Sequence, residues 1–189
     1  MDRNTAYAIV TEYLKSESLI KHSLAVEAAM RAYAAKFGED VDYWALAGLL
    51  HDFDWEIHPN LEEHPLKGAP LLRERGVPED IVRCILSHGI ETGVPREKRI
   101  DKALFAVDEL TGLITACVLV RPSRSLLDLT AKSVKGKWKD RAFAAGVNRQ
   151  DIEQGAQELG VDLTEHITTV IEAMRTIAPE LGLVGNITQ

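Results

Sequence analysis

The sequence predicts an all-α protein, a single helical bundle of about nine or ten helices. Three observations predict it. Apolar residues recur at intervals of three and four along most of the chain, which places them on one face of a helix. No segment shows the apolar–polar alternation typical of a half-buried strand. Residues typical of helix starts and stops separate the periodic segments, and no linker divides them. We therefore expect one domain over residues 1–189.

The first three helices are predicted from their apolar stripes. Residues 3–15 form a short helix, and 18–37 form a longer one that ends at Gly38, a residue common just past a helix end. The stripe of this second helix consists of Leu19, His22, Val26, Ala29 and Tyr33. Residues 41–52 form the third helix, with Trp44, Ala47 and His51 on one face.

Proline and glycine delimit the next helices. Pro65 is predicted to stand at the first position of a helix that runs to about residue 75 and stops at Gly76. Pro78 begins the following helix, which ends near His88. After a loop over 90–98, the spacing predicts a long helix over 99–119.

Capping residues predict the C-terminal helices. Ser123 or Ser125 is expected to begin a helix that reaches about residue 134. Asn148 is expected to cap another helix, and Asp162 to cap the last one. The apolar positions of these last helices favour core packing or a homodimer contact, two alternatives that the sequence leaves open.

Composition limits the classes of function. A chain of 189 residues is long enough to bury a polar site inside its core. The apolar share of 46% and the charged share of 27% are typical of a soluble globular protein. The net charge of −7 argues against a broad nucleic-acid surface, although a local basic pocket remains compatible with it.

The cysteines and the apolar runs indicate an intracellular protein. Cys84 and Cys117 lie in apolar helical segments and are interpreted as reduced core thiols, since no pair has zinc-finger spacing. The N-terminus has no apolar signal region, and no apolar run approaches the roughly 20 residues of a membrane span. We expect a cytoplasmic protein with no membrane partner.

Histidine and aspartate residues at helical positions are the most informative feature. His22, His51 and His88 each follow an apolar stripe, and Asp52 directly follows His51. A lone histidine on such a face is usually a hydrogen-bonded core residue. Three of them, together with an aspartate that points inward, favour a metal site, because imidazole and carboxylate are the ligands of transition metals.

Asp108 carries much of this argument. It lies within Ala-Leu-Phe-Ala-Val-Asp-Glu-Leu, and Leu104, Thr111 and Thr115 share its helical face. Burying a bare carboxylate costs several kcal/mol, so an inward aspartate requires a cation or strong hydrogen bonds. A metal ion would satisfy Asp108 and the histidines together.

The order His…His-Asp…Asp over successive helices resembles the HD-domain superfamily of metal-dependent phosphohydrolases. The matching residues are His22, the His51-Asp52 doublet and Asp108, and the resemblance covers about residues 15–120, which leaves a C-terminal helical extension over about 121–189. It implies that these four residues hold a divalent metal ion such as Mn, Fe, Co, Ni or Zn.

Two further segments resemble the members that hold a second ion. They are His64-Pro65-Leu66-Lys67-Gly68-Ala69, similar to His-Pro-x-x-Gly-Ala, and Ile85-Leu86-Ser87-His88. By that resemblance His64 and His88, with Asp52 bridging, would bind the second metal. The alternatives are a helix N-cap for His64 and a helix C-terminal cation for His88.

The chain departs from the family after the doublet. Many relatives continue His-Asp-Ile-Gly-Lys, whereas this chain has Phe53-Asp54-Trp55-Glu56. Asp54 and Glu56 are expected either to orient water or to order the loop. Lys67 is a candidate to supply the missing cation to a phosphate, and His88 or Glu56 to protonate the leaving oxygen.

The remaining polar residues allow two interpretations each. A basic segment consists of Lys132, Lys135, Lys137, Lys139 and Arg141, preceded by Arg121 and Arg124. It is either an anionic-substrate clamp or a solvated surface, and the second is favoured. His166 is interpreted as structural and His58 as a solvated loop residue.

We therefore expect a hydrolase that cleaves a phosphoester of a small nucleotide or related metabolite with metal-activated water. Two alternatives remain. Some HD-superfamily members with six ligands are binuclear iron oxygenases, and a non-catalytic nucleotide-binding domain would keep or lose the metal.

Overall fold

The computed structural model describes residues 1–186, and within that range the chain forms α-helices, one 3₁₀ turn over Ile90–Thr92 and no strand. The helices are α1 Arg3–Tyr13, α2 Glu17–Phe37, α3 Val41–Leu50, α4 Gly68–Glu74, α5 Glu79–His88, α6 Arg99–Leu119, α7 Ala131–Gly136, α8 Arg149–Leu159, α9 Leu163–Arg175 and α10 Ala178–Leu181. The predicted all-α class is confirmed.

Helix ends follow from local side-chain chemistry. Asp40 begins α3 by accepting a hydrogen bond from the Tyr43 backbone N–H at 3.0 Å. Asn148 and Asp162 cap α8 and α9 in the same way, as predicted. Gly38 ends α2 in the left-handed region with φ of 71°, a conformation that glycine adopts without strain.

The two longest helices, α2 and α6, form the centre of the fold. Helix α3 packs along α2, α8 packs along α6, and α9 contacts both central helices. Gly48 lets α3 approach α2 closely, because a Cβ there would lie 2.9 Å from the Val26 carbonyl oxygen. Gly155 does the same for α8, where a Cβ would lie 2.5 Å from the Ala106 Cα.

Most of the buried apolar side chains of residues 1–186 form one cluster that includes members from α1 to α10. Residues from the C-terminal third, such as Val170 and Met174, belong to it and are fully buried. None of the helices in this range is both long enough and apolar enough to cross a membrane.

Two helix starts differ from the prediction by three residues or more. Helix α4 begins at Gly68 rather than Pro65, and the residues before it form turns that place His64 in the buried interior. Helix α7 begins at Ala131, capped by Thr130, rather than at Ser123 or Ser125. The backbone there is bonded to the C-terminal region instead: Leu126 N–H donates to the Leu183 carbonyl, and Arg175 donates to the Leu126 carbonyl.

Candidate metal centre

Three core elements meet at a cluster of two histidines and two aspartates, which we name the first cluster. His22 lies on α2, Asp108 lies on α6, and the His51-Asp52 pair directly follows the last residue of α3. The packing of α2 against α3 and α6 therefore brings together residues that are up to 86 positions apart in the chain.

The ligand atoms of the first cluster lie within hydrogen-bonding range of one another. His22 Nε2 is 3.1 Å from His51 Nε2 and 3.0 Å from Asp108 Oδ1. Asp52 Oδ2 is 3.3 Å from His51 Nε2 and 3.5 Å from His22 Nε2. His51 is fully buried, whereas the other three side chains are 16–23% exposed, so the cluster opens to solvent on one side.

A second cluster adjoins the first through Asp52. The other oxygen of this carboxylate, Oδ1, is 3.1 Å from His64 Nε2 and 3.6 Å from His88 Nε2, and the two imidazole nitrogens are 3.2 Å apart. Close packing next to the two histidines brings them together, since a Cβ on Gly89 would lie 2.7 Å from Pro65 Cδ. The structure thus brings all six sequence-predicted ligands together, with Asp52 shared.

Backbone carbonyls hold two of the imidazoles. His51 Nδ1 donates to the Gly48 carbonyl at 2.8 Å, and His88 Nδ1 donates to the Ile85 carbonyl. In each case the acceptor lies three residues earlier, at the end of a helix where carbonyls lack a helical partner. A carbonyl only accepts, so each Nδ1 carries a proton, and in the neutral imidazole each Nε2 presents a lone pair to the cluster.

Side chains hold the other two imidazoles. The Thr111 hydroxyl donates to the Asp108 carbonyl at 2.9 Å, which leaves its oxygen to accept from His22 Nδ1 at 3.3 Å. His64 Nδ1 donates to Asp54 Oδ1 at 2.7 Å, and both side chains are buried. Such outer contacts orient metal-binding histidines and set their protonation.

The donor set fits a metal ion. Without a cation or added protons, the Nε2 lone pairs of His22 and His51 would face each other at 3.1 Å beside two carboxylates. Nitrogen and oxygen donors that converge in this way, each oriented by an outer partner, are what a divalent transition metal requires. His22, His51, Asp52 and Asp108 could hold one ion, and His64, His88 and Asp52 a second.

The charges of the site raise the pKa of a histidine and lower the pKa of an aspartate. Burial lowers the pKa of His51, but the Asp52 and Asp108 carboxylates outweigh burial and raise it well above its usual value. Burial likewise raises the pKa of Asp52, yet His51 and the neighbouring histidines hold it well below its usual range. The carboxylates are therefore ionised at neutral pH, as ligands must be.

Two of the other predicted site residues have partners elsewhere. The Glu56 carboxylate accepts the backbone N–H groups of Lys15 and Ser16 at 2.9 and 2.6 Å, at the junction of α1 and α2. Lys67 forms an ion pair with Glu63, and its side chain is 58% exposed. These contacts favour the loop-ordering alternative for Glu56 and give Lys67 a surface position.

The basic segment makes local contacts. Lys135 donates to the Thr164 hydroxyl at 2.9 Å, Lys137 lies over the Phe143 ring, and Arg121 pairs with Asp128 at 2.7 Å. These partners belong to the C-terminal third, which agrees with the interpretation of this segment as a surface.

Sequence reasoning missed the roles of Thr111 and Asp54 as imidazole acceptors. Thr111 was placed on the face of Asp108, but its contact with His22 depends on the packing of α2 on α6. The signal for the backbone acceptors was present in the sequence, because His51 and His88 both stand at helix ends, three residues after a free carbonyl.

A groove opens beside the first cluster and has a volume of about 640 Å³. It runs from His22 along the C-terminal half of α6, from Gly112 to Leu119, to the end of α10. One side is polar and the other apolar; the lining includes Lys21, Thr115, Leu119, Leu181 and Leu183. Leu119, at the last turn of α6, is 47% exposed there.

Comparison with known proteins agrees with this geometry. The family model of the HD domain matches residues 19–111, the segment that contains all six converging side chains. No solved structure matches the chain significantly.

Curated relatives of the chain carry the name ribonuclease Y. The protein from Desulfotalea psychrophila is 29% identical over 137 residues, which cover 70% of this chain and 26% of the relative. That from Nitratidesulfovibrio vulgaris strain DP4 is 35% identical over 74 residues, or 39% of this chain and 14% of the relative. That from Thermotoga maritima is 36% identical over 73 residues, with 38% and 14% covered. The chain thus spans about a quarter or less of these relatives.

Proposed function

The chain belongs to the HD-domain superfamily, and from this premise we propose that it is a metal-dependent phosphohydrolase that cleaves a phosphoester of a small nucleotide or related metabolite. One observation carries the proposal. Four imidazole Nε2 atoms and two aspartate carboxylates converge, each imidazole is held from behind by an acceptor, and Asp52 faces both clusters. This arrangement prepares the side chains to bind metal and leaves one side open to a substrate.

In the proposed mechanism a divalent ion, when bound, would lower the pKa of a water molecule and offset charge on the phosphoryl oxygens. His22, His51, Asp52 and Asp108 would hold it, and Asp52 belongs to both ligand sets. The acceptors Gly48 and Thr111 prevent the imidazoles from turning, so no reorganisation is needed at the moment of reaction. The new bond joins the water oxygen to phosphorus, the ester P–O bond breaks, and a proton passes to the leaving oxygen.

His88 has one of two roles, according to the number of ions bound. Its Nδ1 is held by the Ile85 carbonyl, so only Nε2 is available for chemistry. With one ion in the first cluster, Nε2 is free to deliver the proton to the leaving oxygen. With two ions it would serve as a ligand together with His64 and would not be available as the acid.

We place the organic part of the substrate in the groove beside His22. The groove adjoins the first cluster and combines hydroxyl and ammonium groups with leucine side chains, which suits a molecule with a polar and an apolar part. The change Leu119→Arg should therefore raise KM for such a substrate about tenfold, as expected for loss of a buried apolar contact. Metal content and kcat towards a minimal phosphoester should stay unchanged, and an unchanged KM would place the substrate elsewhere.

The name of the relatives adds RNA to the substrates to be tested. A ribonuclease cleaves phosphodiesters of a polymer, whereas the net charge of −7 favours a small substrate here. A panel should therefore include mononucleotides, cyclic nucleotides, sugar phosphates and a short RNA, each assayed with Mn²⁺, Co²⁺ or Ni²⁺. Phosphate release that a chelator abolishes and added metal restores is the expected result. Uniform inactivity with the metal intact would favour a non-catalytic binding domain.

A binuclear iron oxygenase is the second candidate, and the shared Asp52 carboxylate favours it. Imidazole and carboxylate bind iron as readily as manganese, so the donor set serves both reactions. Metal analysis of protein purified without added metal distinguishes the oxygenase from the hydrolase. Two irons per chain with an oxygen-dependent optical change would support the oxygenase, and a non-redox ion with phosphate release would support the hydrolase.

A further inference from the structure

The two clusters differ in how much negative charge they contain. The first has two carboxylates, Asp52 and Asp108, whereas the second has only the shared Asp52. A second divalent ion would therefore have two imidazoles and a single carboxylate, Asp52, as its protein ligands. The first ion would share that carboxylate and would already offset part of its charge. From these charges alone, a divalent ion should bind tightly at the first cluster and only weakly at the second.

His64 is backed differently from the other three histidines. His51 and His88 donate to carbonyls and His22 lies against a hydroxyl, all neutral acceptors. His64 donates to the Asp54 carboxylate at 2.7 Å, and the side chains are 3% and 0% exposed. A buried carboxylate behind an imidazole raises the electron-donating strength of its other nitrogen and places a negative charge one ring away from the ion.

The surroundings of Asp54 are shaped to admit this carboxylate. A Cβ on Gly68 would lie 2.3 Å from Asp54 Oδ2 and 2.5 Å from its Cγ, distances that only glycine permits. Within residues 1–186 the Oδ2 atom is buried without a hydrogen-bond partner, and the contact that holds the carboxylate is the one from His64 to Oδ1. The Trp55 ring packs edge-on against the His64 imidazole and closes the same side.

We infer that Asp54 is the positioning residue for the second metal ion, acting through His64, and that Gly68 provides the space it requires. Asp54 thus supplies the charge that the second cluster lacks. The inference rests on the proposed metal-dependent function and concerns only the occupancy of the second position.

The test is titration of the metal-depleted protein with Mn²⁺, followed by calorimetry and by electron paramagnetic resonance. Wild-type protein should bind two ions and give the coupled signal of a manganese pair. Asp54→Asn keeps the shape and an acceptor oxygen but removes the charge. It should weaken the second binding step roughly 10–100-fold and abolish the coupled signal at stoichiometric metal, while the first step stays unchanged.

Gly68→Ala tests the same inference without a change in any charged group, since the added methyl group must displace Asp54. It should also weaken only the second step. The matched control is Gly136→Ala on α7, where an added Cβ meets nothing within 4 Å, and both steps should stay as in the wild type. Helical circular dichroism checks that each variant is folded.

Each outcome has a distinct meaning. Equal weakening of both steps in Asp54→Asn would show a general structural role and overturn the inference, as would two unchanged steps. Wild-type protein that binds a single ion would overturn it and leave the proposed hydrolase standing. Wild-type protein that binds none would overturn the proposed metal-dependent function as well.

Discussion

Two kinds of buried histidine occur in this protein, and their partners distinguish them. His166 on α9 is fully buried between neutral groups: Tyr33 OH donates to its Nδ1 at 2.5 Å, and its Nε2 donates to the Ala106 carbonyl at 2.8 Å. Both nitrogens are satisfied, and burial lowers its pKa to about 4. His51 is equally buried, but its Nε2 faces two carboxylates that raise its pKa.

The difference shows that an apolar helical face does not by itself distinguish a core histidine from a ligand. His166 ties α9 to α2 and α6 and uses both nitrogens to do so. Each histidine of the metal centre uses only Nδ1 for structure and leaves Nε2 directed at a carboxylate. A free nitrogen aimed at negative charge is therefore the feature that indicates a metal site.

The sharpest test of this contrast replaces one histidine of each kind with alanine, in two separate variants. His51→Ala should remove bound metal and lower kcat/KM by more than the roughly 100-fold seen for outer contacts of metal ligands. His166→Ala should lower the unfolding temperature and keep the metal content. Metal analysis and thermal unfolding measure both effects. A fully active, metal-free His51→Ala protein would contradict the proposed function.

The next largest effect concerns pH. Burial lowers the pKa of His64, but Asp52 and Asp54 outweigh burial and raise it to about 9. Below pH 9 metal-free His64 thus holds a proton that a second ion must displace. Affinity for that ion should rise about tenfold per pH unit between pH 7 and 9. Calorimetry in buffers of different ionisation enthalpy should show proton release that disappears as the pH passes 9, and pH-independent binding would argue against this protonation.

A smaller effect is expected from Thr111→Val, which removes the acceptor behind His22 without a change in size. The first binding step should weaken about tenfold, the lower end of the range for outer contacts. Thr168→Val on α9, whose hydroxyl also donates to a helix carbonyl, is the matched control and should leave the binding step unchanged. Equal affinity in both variants would show that His22 is oriented by packing alone.

The smallest effect should appear in acid stability. The folded pKa of His166, about 4, is depressed below the ordinary value of 6.5, so the unfolded chain binds the proton first as the pH falls. Stability should therefore fall by about 1 kcal/mol between pH 6.5 and 5.5 through His166 alone. Denaturant unfolding of metal-free wild type and His166→Gln at the two pH values measures it. Between the two pH values the His166→Gln variant should lose about 1 kcal/mol less stability than the wild type.

Much of the centre could be predicted from the sequence because its ligands are placed by local rules. The stripe through His22 and the helical position of Asp108 follow from a period that neighbouring residues reveal. His51 and His88 stand at helix ends, where a carbonyl three residues earlier is free. The all-α class and the capping residues Asn148 and Asp162 are equally local, and the structure confirms them.

Tertiary structure alone decided the contacts made by irregular segments. The start of α7 depends on two hydrogen bonds to the C-terminal region: Leu126 N–H donates to the Leu183 carbonyl, and Arg175 donates to the Leu126 carbonyl. The partnership of Asp54 with His64 depends on a turn that no periodicity describes, and on a glycine that makes room for it. The helical period and the helix ends indicate, from sequence alone, which side chains are candidates to bind a metal ion. Only the packing of α2, α3 and α6 determined that they meet, because a ligand site depends on distances between side chains that are far apart in the chain.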